Sequence, residues 1–114
     1  MNIEVKEKLD SVHRAMVVYY GCDFMTEDRV AVNAERRQVF VWVARRVMPG
    51  VKLVDIAEFM GKHHATVIYS LKQVGNLMDV YPRYVEELFA ILNYVGSILD
   101  DEGLGLLAQP GYEV

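Results

Sequence analysis

A chain of 114 residues with 53% hydrophobic and 25% charged side chains has the length of one domain and enough apolar surface to bury a core, which excludes a disordered tail. Its single cysteine, Cys22, excludes a disulfide framework or a thiolate zinc cluster and suits a reducing compartment. The formal charge of −4 argues against a polyanionic partner only until its distribution is read. From Arg29 to Lys72, eight Lys/Arg stand against three Asp/Glu, a net +5, while the rest of the chain, with four basic and thirteen acidic side chains, carries −9. A basic middle between acidic ends creates a local field that decides where a polyanion docks, although the same charges also suit ordinary solvated helix faces. No apolar run approaches a membrane span and no secretory signal opens the chain, so a cytoplasmic protein is expected.

In chain order, residues 2–20 read as an amphipathic helix. Ile3, Val5, Leu9, Val12, Met16 and Tyr20 recur at spacings of two to four, with Glu4, Lys6, Glu7, Lys8 and Asp10 between them. His13 reads as a surface or half-buried helix residue with no metal role. Residues 21–26 break the pattern, and Thr26 followed by Glu27 and Asp28 suits an N-cap with acids in a first turn. Residues 29–48 then read as a long helix, or a basic loop running into one. Val39, Val43 and Val47, with Phe40 and Trp42, supply its buried face, while Arg36, Arg37, Arg45 and Arg46 crowd other faces. Pro49-Gly50 stops it.

The stretch from Leu53 to Val74 reads as two short helices joined by a tight turn. Ile56, Phe59 and Met60 share one face, and Gly61 occupies the position where a left-handed C-cap is wanted. Val67, Leu71 and Val74 form the stripe of the second helix, and the small Ala57 permits a close crossing. This pattern fits a helix-turn-helix, with Lys62, His63, His64, Ala65 and Thr66 opening the recognition helix, where base contacts are usually made. Gly75-Asn76 suits the C-cap of that helix. Tyr81-Pro82 starts another, with a stripe of Val85, Leu88, Phe89, Leu92, Val95 and Leu99, Glu86 and Glu87 in solvent, and an acidic end, Asp100-Asp101-Glu102, that is poor for the helix dipole and prone to fray. Residues 103–114 lack a period and read as an irregular tail, or as a short docking segment carried by Leu104, Leu106 and Leu107. The fold expected is all-α: a single helical domain over residues 1–102, about five helices around a helix-turn-helix core at 29–76.

Arg37-Gln38, then Ile56-Ala57, then Gly61-Lys62-His63-His64-Ala65-Thr66-Val67 resembles the C-terminal DNA-binding domain of the bacterial replication initiator DnaA, over roughly residues 29–74. The resemblance implies sequence-specific binding to short boxes of double-stranded DNA. It carries a minor-groove arginine onto Arg29 and major-groove base reading onto Lys62, His63, His64, Ala65 and Thr66. It carries phosphate contacts onto Arg37, Gln38, Arg45 and Tyr69. Lys72, basic and on the same helix, joins the phosphate set. His63 stands where the family has Asp, and Ala65 where it has Thr, and the turn is one residue shorter than in many members. Asp accepts from a cytosine amino group and His does not do so in the same way, while Ala65 keeps only an apolar contact suited to a thymine methyl, so a different box is expected.

No GxxxxGK[ST] motif occurs, so the chain reads as a stand-alone reader without the initiator's ATPase, serving DNA replication or its regulation. Adjacent His63 and His64 match no zinc spacing, and no nucleophile, acid pair or phosphate loop suggests an enzyme; no metal or cofactor is expected. The competing reading is a protein-interaction module that reuses the fold to bind a replication protein through its acidic ends or apolar tail.

Overall fold

The computed structural model describes residues 1–103. The described residues form five α-helices and no strand: α1 Ile3–Tyr20, α2 Ala31–Val47, α3 Leu53–Met60, α4 His64–Val80 and α5 Pro82–Asp101. The all-α expectation holds. None of these helices is long and apolar enough to cross a membrane.

Local chemistry sets most of the boundaries. The Asn2 side chain accepts a 2.8 Å hydrogen bond from the Val5 amide and caps α1. Gly21, at φ 79°, ends it, its N–H donating to the Val17 carbonyl. Leu9, Val12 and Met16 are fully buried, but the last turn is less enclosed than its composition suggests, with Val18 and Tyr19 exposed. Between α1 and α2, Thr26 does not cap a helix. Its hydroxyl donates to the Asp28 carboxylate at 2.6 Å, and Asp28 accepts from the Val30 amide at 3.0 Å. These side-chain bonds hold the chain in a turn, so α2 starts at Ala31 with Val30 as an N-cap that offers no side-chain hydrogen bond.

The centre of the core is α2, which packs on α1, α4 and α5. Every residue from Val39 to Ala44 is buried, and Phe40, Val41, Val43 and Ala44 have no exposed surface. Phe40 stacks on Phe59 at 5.7 Å and meets Phe24 at 6.3 Å, which ties α3 and the 21–30 loop to the same point. Pro49-Gly50 follows the helix as expected, and α3 packs on α1 and α4.

The α3–α4 turn has the expected form. Gly61 lies at φ 66°, and the Lys62 amide reaches back to the Ala57 carbonyl at 2.9 Å. Ile56, Ala57 and Val67 are buried where the two helices cross. Gly75-Asn76, however, is not a C-cap. The helix runs through it to Val80, because Val74 is fully buried and Leu77 and Met78 continue the half-buried stripe beyond the glycine. Packing of that stripe outweighs the ~1 kcal/mol cost of a helical glycine. Pro82 starts α5, whose buried positions are Leu88, Ile91, Leu92, Val95, Gly96 and Leu99. Val85 and Phe89 are only half-buried. Helix continues through the acidic end to Asp101, closed by the Glu102 amide on the Ile98 carbonyl and by Gly103 at φ 76°. Residues 104–114, with the tail expected there, lie outside the described residues.

Gly61 and Gly75 both have open space where a methyl group would project, and should respond oppositely to alanine. Gly75→Ala, in helical conformation, should stabilise by about 0.5–1 kcal/mol. Gly61→Ala, forced into the left-handed region, should destabilise by about 1–2 kcal/mol. Urea midpoints that move in opposite directions at constant slope are the expected result.

Candidate nucleic-acid interface

The residues singled out in the sequence fall into three groups. The first lies on the opening of α4. His63 is its N-cap and makes no side-chain capping bond, and His63, His64, Ala65 and Thr66 are all exposed. Without a capping side chain, the first amides of α4 and the positive end of its dipole face outward. Further along, Tyr69 and Lys72 are exposed on the face opposite the stripe of Val67 and Val74. Ser70 is buried against that stripe and donates to the Thr66 carbonyl at 2.9 Å.

The second group meets the first in a cleft between α2 and the start of α4. Arg37 and Gln38 from α2, Lys62 from the turn, and Thr66 and Tyr69 from α4 line it together. Residues from two separate helices that were assigned to one surface therefore do share one. Arg45 is exposed seven residues after Gln38 and lies on the same side of α2.

The third group is the loop before α2, which presents an exposed Arg29. Here the structure gives Arg37 an occupation that the sequence did not suggest. Its guanidinium donates to the carbonyls of Phe24 (3.0 Å), Thr26 (2.9 Å) and Asp28 (3.1 Å). With these donors spent inside the molecule, Arg37 acts as a brace on the loop rather than as a free phosphate clamp. Asp28, next to Arg29, accepts from Thr26, Val30 and Asn33, and these bonds hold its carboxyl below the usual carboxylate range. At the other end of the loop, the Met25 amide and then His13 lower the pKa of Asp23, with His13 Nε2 at 2.9 Å. His13 is half-buried with its ring edge-on to Phe24 and Phe59, a packing and loop-holding role.

Two further arginines of the basic segment are also engaged. The Arg36 guanidinium lies 4.4 Å from the centre of the Tyr20 ring and donates to Cys22 Sγ at 3.1 Å. Burial pushes the Tyr20 phenol up to about 12, against the opposing effect of Arg36. Arg46 stacks over Trp42 at 5.1 Å and Phe89 at 5.5 Å. Arg29, Arg45, Lys52, Lys62 and Lys72 make no ion pair among the described residues and remain available to a ligand. The described residues contain no cluster of three or more His, Cys, Asp or Glu suited to a metal.

One surface residue escaped the sequence reading. Ile68 is 47% exposed on the outward face of α4. Its signal was present: it sits three residues after Ala65 and four before Lys72, out of phase with the core positions Val67 and Val74.

Removing the brace with Arg37→Ala should raise amide exchange at Met25 and Val30, measured by NMR, while amides in the middle of α2 keep their protection. In the unaltered protein the contributions of Asp23 and Asp28, whose folded pKa values are lowered, are complete above the ordinary value of 3.8 and are lost as the pH falls through the lowered ones, so the same two amides should loosen first in acid. Comparison with protein-family models, with curated proteins and with solved structures finds no match to this chain.

Proposed function

We propose that this chain is a non-catalytic, sequence-specific reader of double-stranded DNA that places the start of α4 in the major groove, in the manner of the DnaA domain its residues resemble. The observation that carries the reading is the uncapped opening of α4, where His63, His64, Ala65 and Thr66 are exposed and where Lys62 and Thr66 share a cleft with Gln38 and Tyr69. The charge agrees: no Asp or Glu occurs between Gly61 and Met78. Lys62 to Thr66 read base edges, Gln38, Arg45, Tyr69 and Lys72 hold phosphates, and Arg29 reaches an adjacent minor groove from a loop stiffened by Arg37. The process served is replication or its regulation, in the cytoplasm.

A second reading, docking to a replication protein, draws on the half-exposed apolar side chains of Ile68 and Tyr69 on the same face. Salt separates the two. With five free cations in the basic segment, duplex affinity should fall with log[salt] at a slope no steeper than about −4.5. An interaction module shows no such dependence on duplex.

Selection of bound duplexes from a random pool, at low and at physiological salt, is the direct test. A short recovered motif supports the reading, and retention of no duplex at low salt overturns it. On the recovered motif, His64→Ala or Thr66→Ala should cost about 1–3 kcal/mol and little on random duplex, whereas Arg45→Ala should weaken both alike and reduce the salt slope by about one unit. Equal losses on all sequences for His64→Ala rule out its base-reading role.

A further inference from the structure

We propose that the cavity between the end of α1 and the first turns of α2 and α5 docks an arginine side chain of a partner protein, its guanidinium held by tyrosine rings and by the carboxylates of Glu35 and Glu87. The inference does not rest on the DNA reading, because none of the residues lining this cavity belongs to the candidate nucleic-acid interface.

Two helices build the cavity, of about 390 Å³, in the same way. The α2 lining is Val32, Glu35, Arg36 and Val39, one helical face at i, i+3, i+4 and i+7. The α5 lining repeats that spacing with Tyr84, Glu87, Leu88 and Ile91. Val39, Leu88 and Ile91 are buried and apolar, and one turn before Val39 and Ile91 stands an exposed glutamate on each helix. From the last turn of α1, Tyr19 and Tyr20 add two rings, edge-to-face at 5.6 Å. An apolar floor, aromatic rings and two carboxylates suit a cation carried on an alkyl stem.

The carboxylates lack a counter-charge. Neither Glu35 nor Glu87 makes an ion pair among the described residues. Both act on Tyr84, whose phenol is held above its ordinary range first by burial and then by these two charges. Arg36 lines the same cavity but is engaged elsewhere, its guanidinium 4.4 Å from the centre of the Tyr20 ring and donating to Cys22 Sγ. Two negative charges against one positive leave the lining attractive to a further cation.

Arg36 also shows which cation fits. A guanidinium is planar and weakly hydrated, so it lies on a tyrosine ring and pairs through two donors with a carboxylate, whereas an ammonium keeps its water. The rim favours a protein over a free cation. Tyr19 is 41% and Val32 45% exposed, apolar surface that a guanidinium alone does not cover and that residues flanking an arginine would.

NMR titration of the full chain with the peptide acetyl-Leu-Arg-Leu-amide tests the proposal. Saturable shifts are expected in the rings of Tyr19, Tyr20 and Tyr84 and in the amides of Glu35 and Glu87. The same peptide with citrulline, which keeps the shape of arginine without its charge, should bind about tenfold more weakly. Methylguanidinium, which lacks the stem and the flanking residues, should also bind about tenfold more weakly than the peptide. Glu35→Gln combined with Glu87→Gln, at exposed positions that leave the core intact, should weaken the arginine peptide about tenfold. Absence of saturable shifts, equal binding of the citrulline peptide, unchanged affinity in the double variant, or shifts confined to Asp100, Asp101 and Glu102 overturn the inference. Methylguanidinium binding as tightly as the peptide assigns the cavity to small cations and overturns the protein partner. The duplex selection is decided separately, since its residues lie outside this cavity.

Discussion

Complete burial of α2 from Val39 to Ala44 is the constraint on which the arrangement depends. A helix buried over more than a full turn on every side needs partners on every side, and no two helices can supply them. Here α1, α4 and α5 pack directly on it, and Phe59 of α3 closes over Phe40. The helix-turn-helix is therefore not a free-standing pair. Its second helix is held by α2, which also supplies Gln38 to the cleft and, through Arg37, fixes the loop that carries Arg29.

This arrangement changes how the basic segment is understood. Eight Lys/Arg between Arg29 and Lys72 look like one electropositive band in the sequence. In the folded chain three of them serve the architecture. Arg37 binds loop carbonyls, Arg36 covers Tyr20, and Arg46 covers Trp42 and Phe89. An arginine can do this because its planar, weakly hydrated guanidinium stacks on rings and presents several donors at once, whereas a lysine ammonium prefers water. Buried Nε and Nη2 of Arg46 find no hydrogen-bond partner, so the two aromatic faces supply its main compensation for lost water.

The elements that sequence reasoning located well were those with strong local chemistry. The turn at Gly61 needs a residue tolerant of a left-handed backbone, Pro82 suits a first helical position, and the apolar period of α1 and α5 is long. Errors arose where local signals were ambiguous. Thr26-Glu27-Asp28 has the composition of a helix start, but its side chains satisfy the loop's own polar groups. Gly75-Asn76 has the composition of a stop, but burial on both sides of it continues the helix. For the candidate site, the exposed opening of α4 was legible from position alone. The internal engagement of Arg37 was not, since its acceptors are carbonyls 9 to 13 residues earlier in the chain, and no side-chain pattern encodes them.

The lone tryptophan gives this geometry an optical consequence. Trp42 is nearly buried at the α2–α5 seam, with the Arg46 guanidinium over its ring and Phe89 meeting it edge-on at 5.6 Å. Neither neighbour belongs to the candidate DNA surface. Its fluorescence emission is accordingly a report on the integrity of that seam, blue-shifted while α5 is docked and red-shifted once water enters. Tyr69, on the outward face of α4, lies away from that seam, so the single tryptophan reports the docking of α5 without contact to the exposed face of α4.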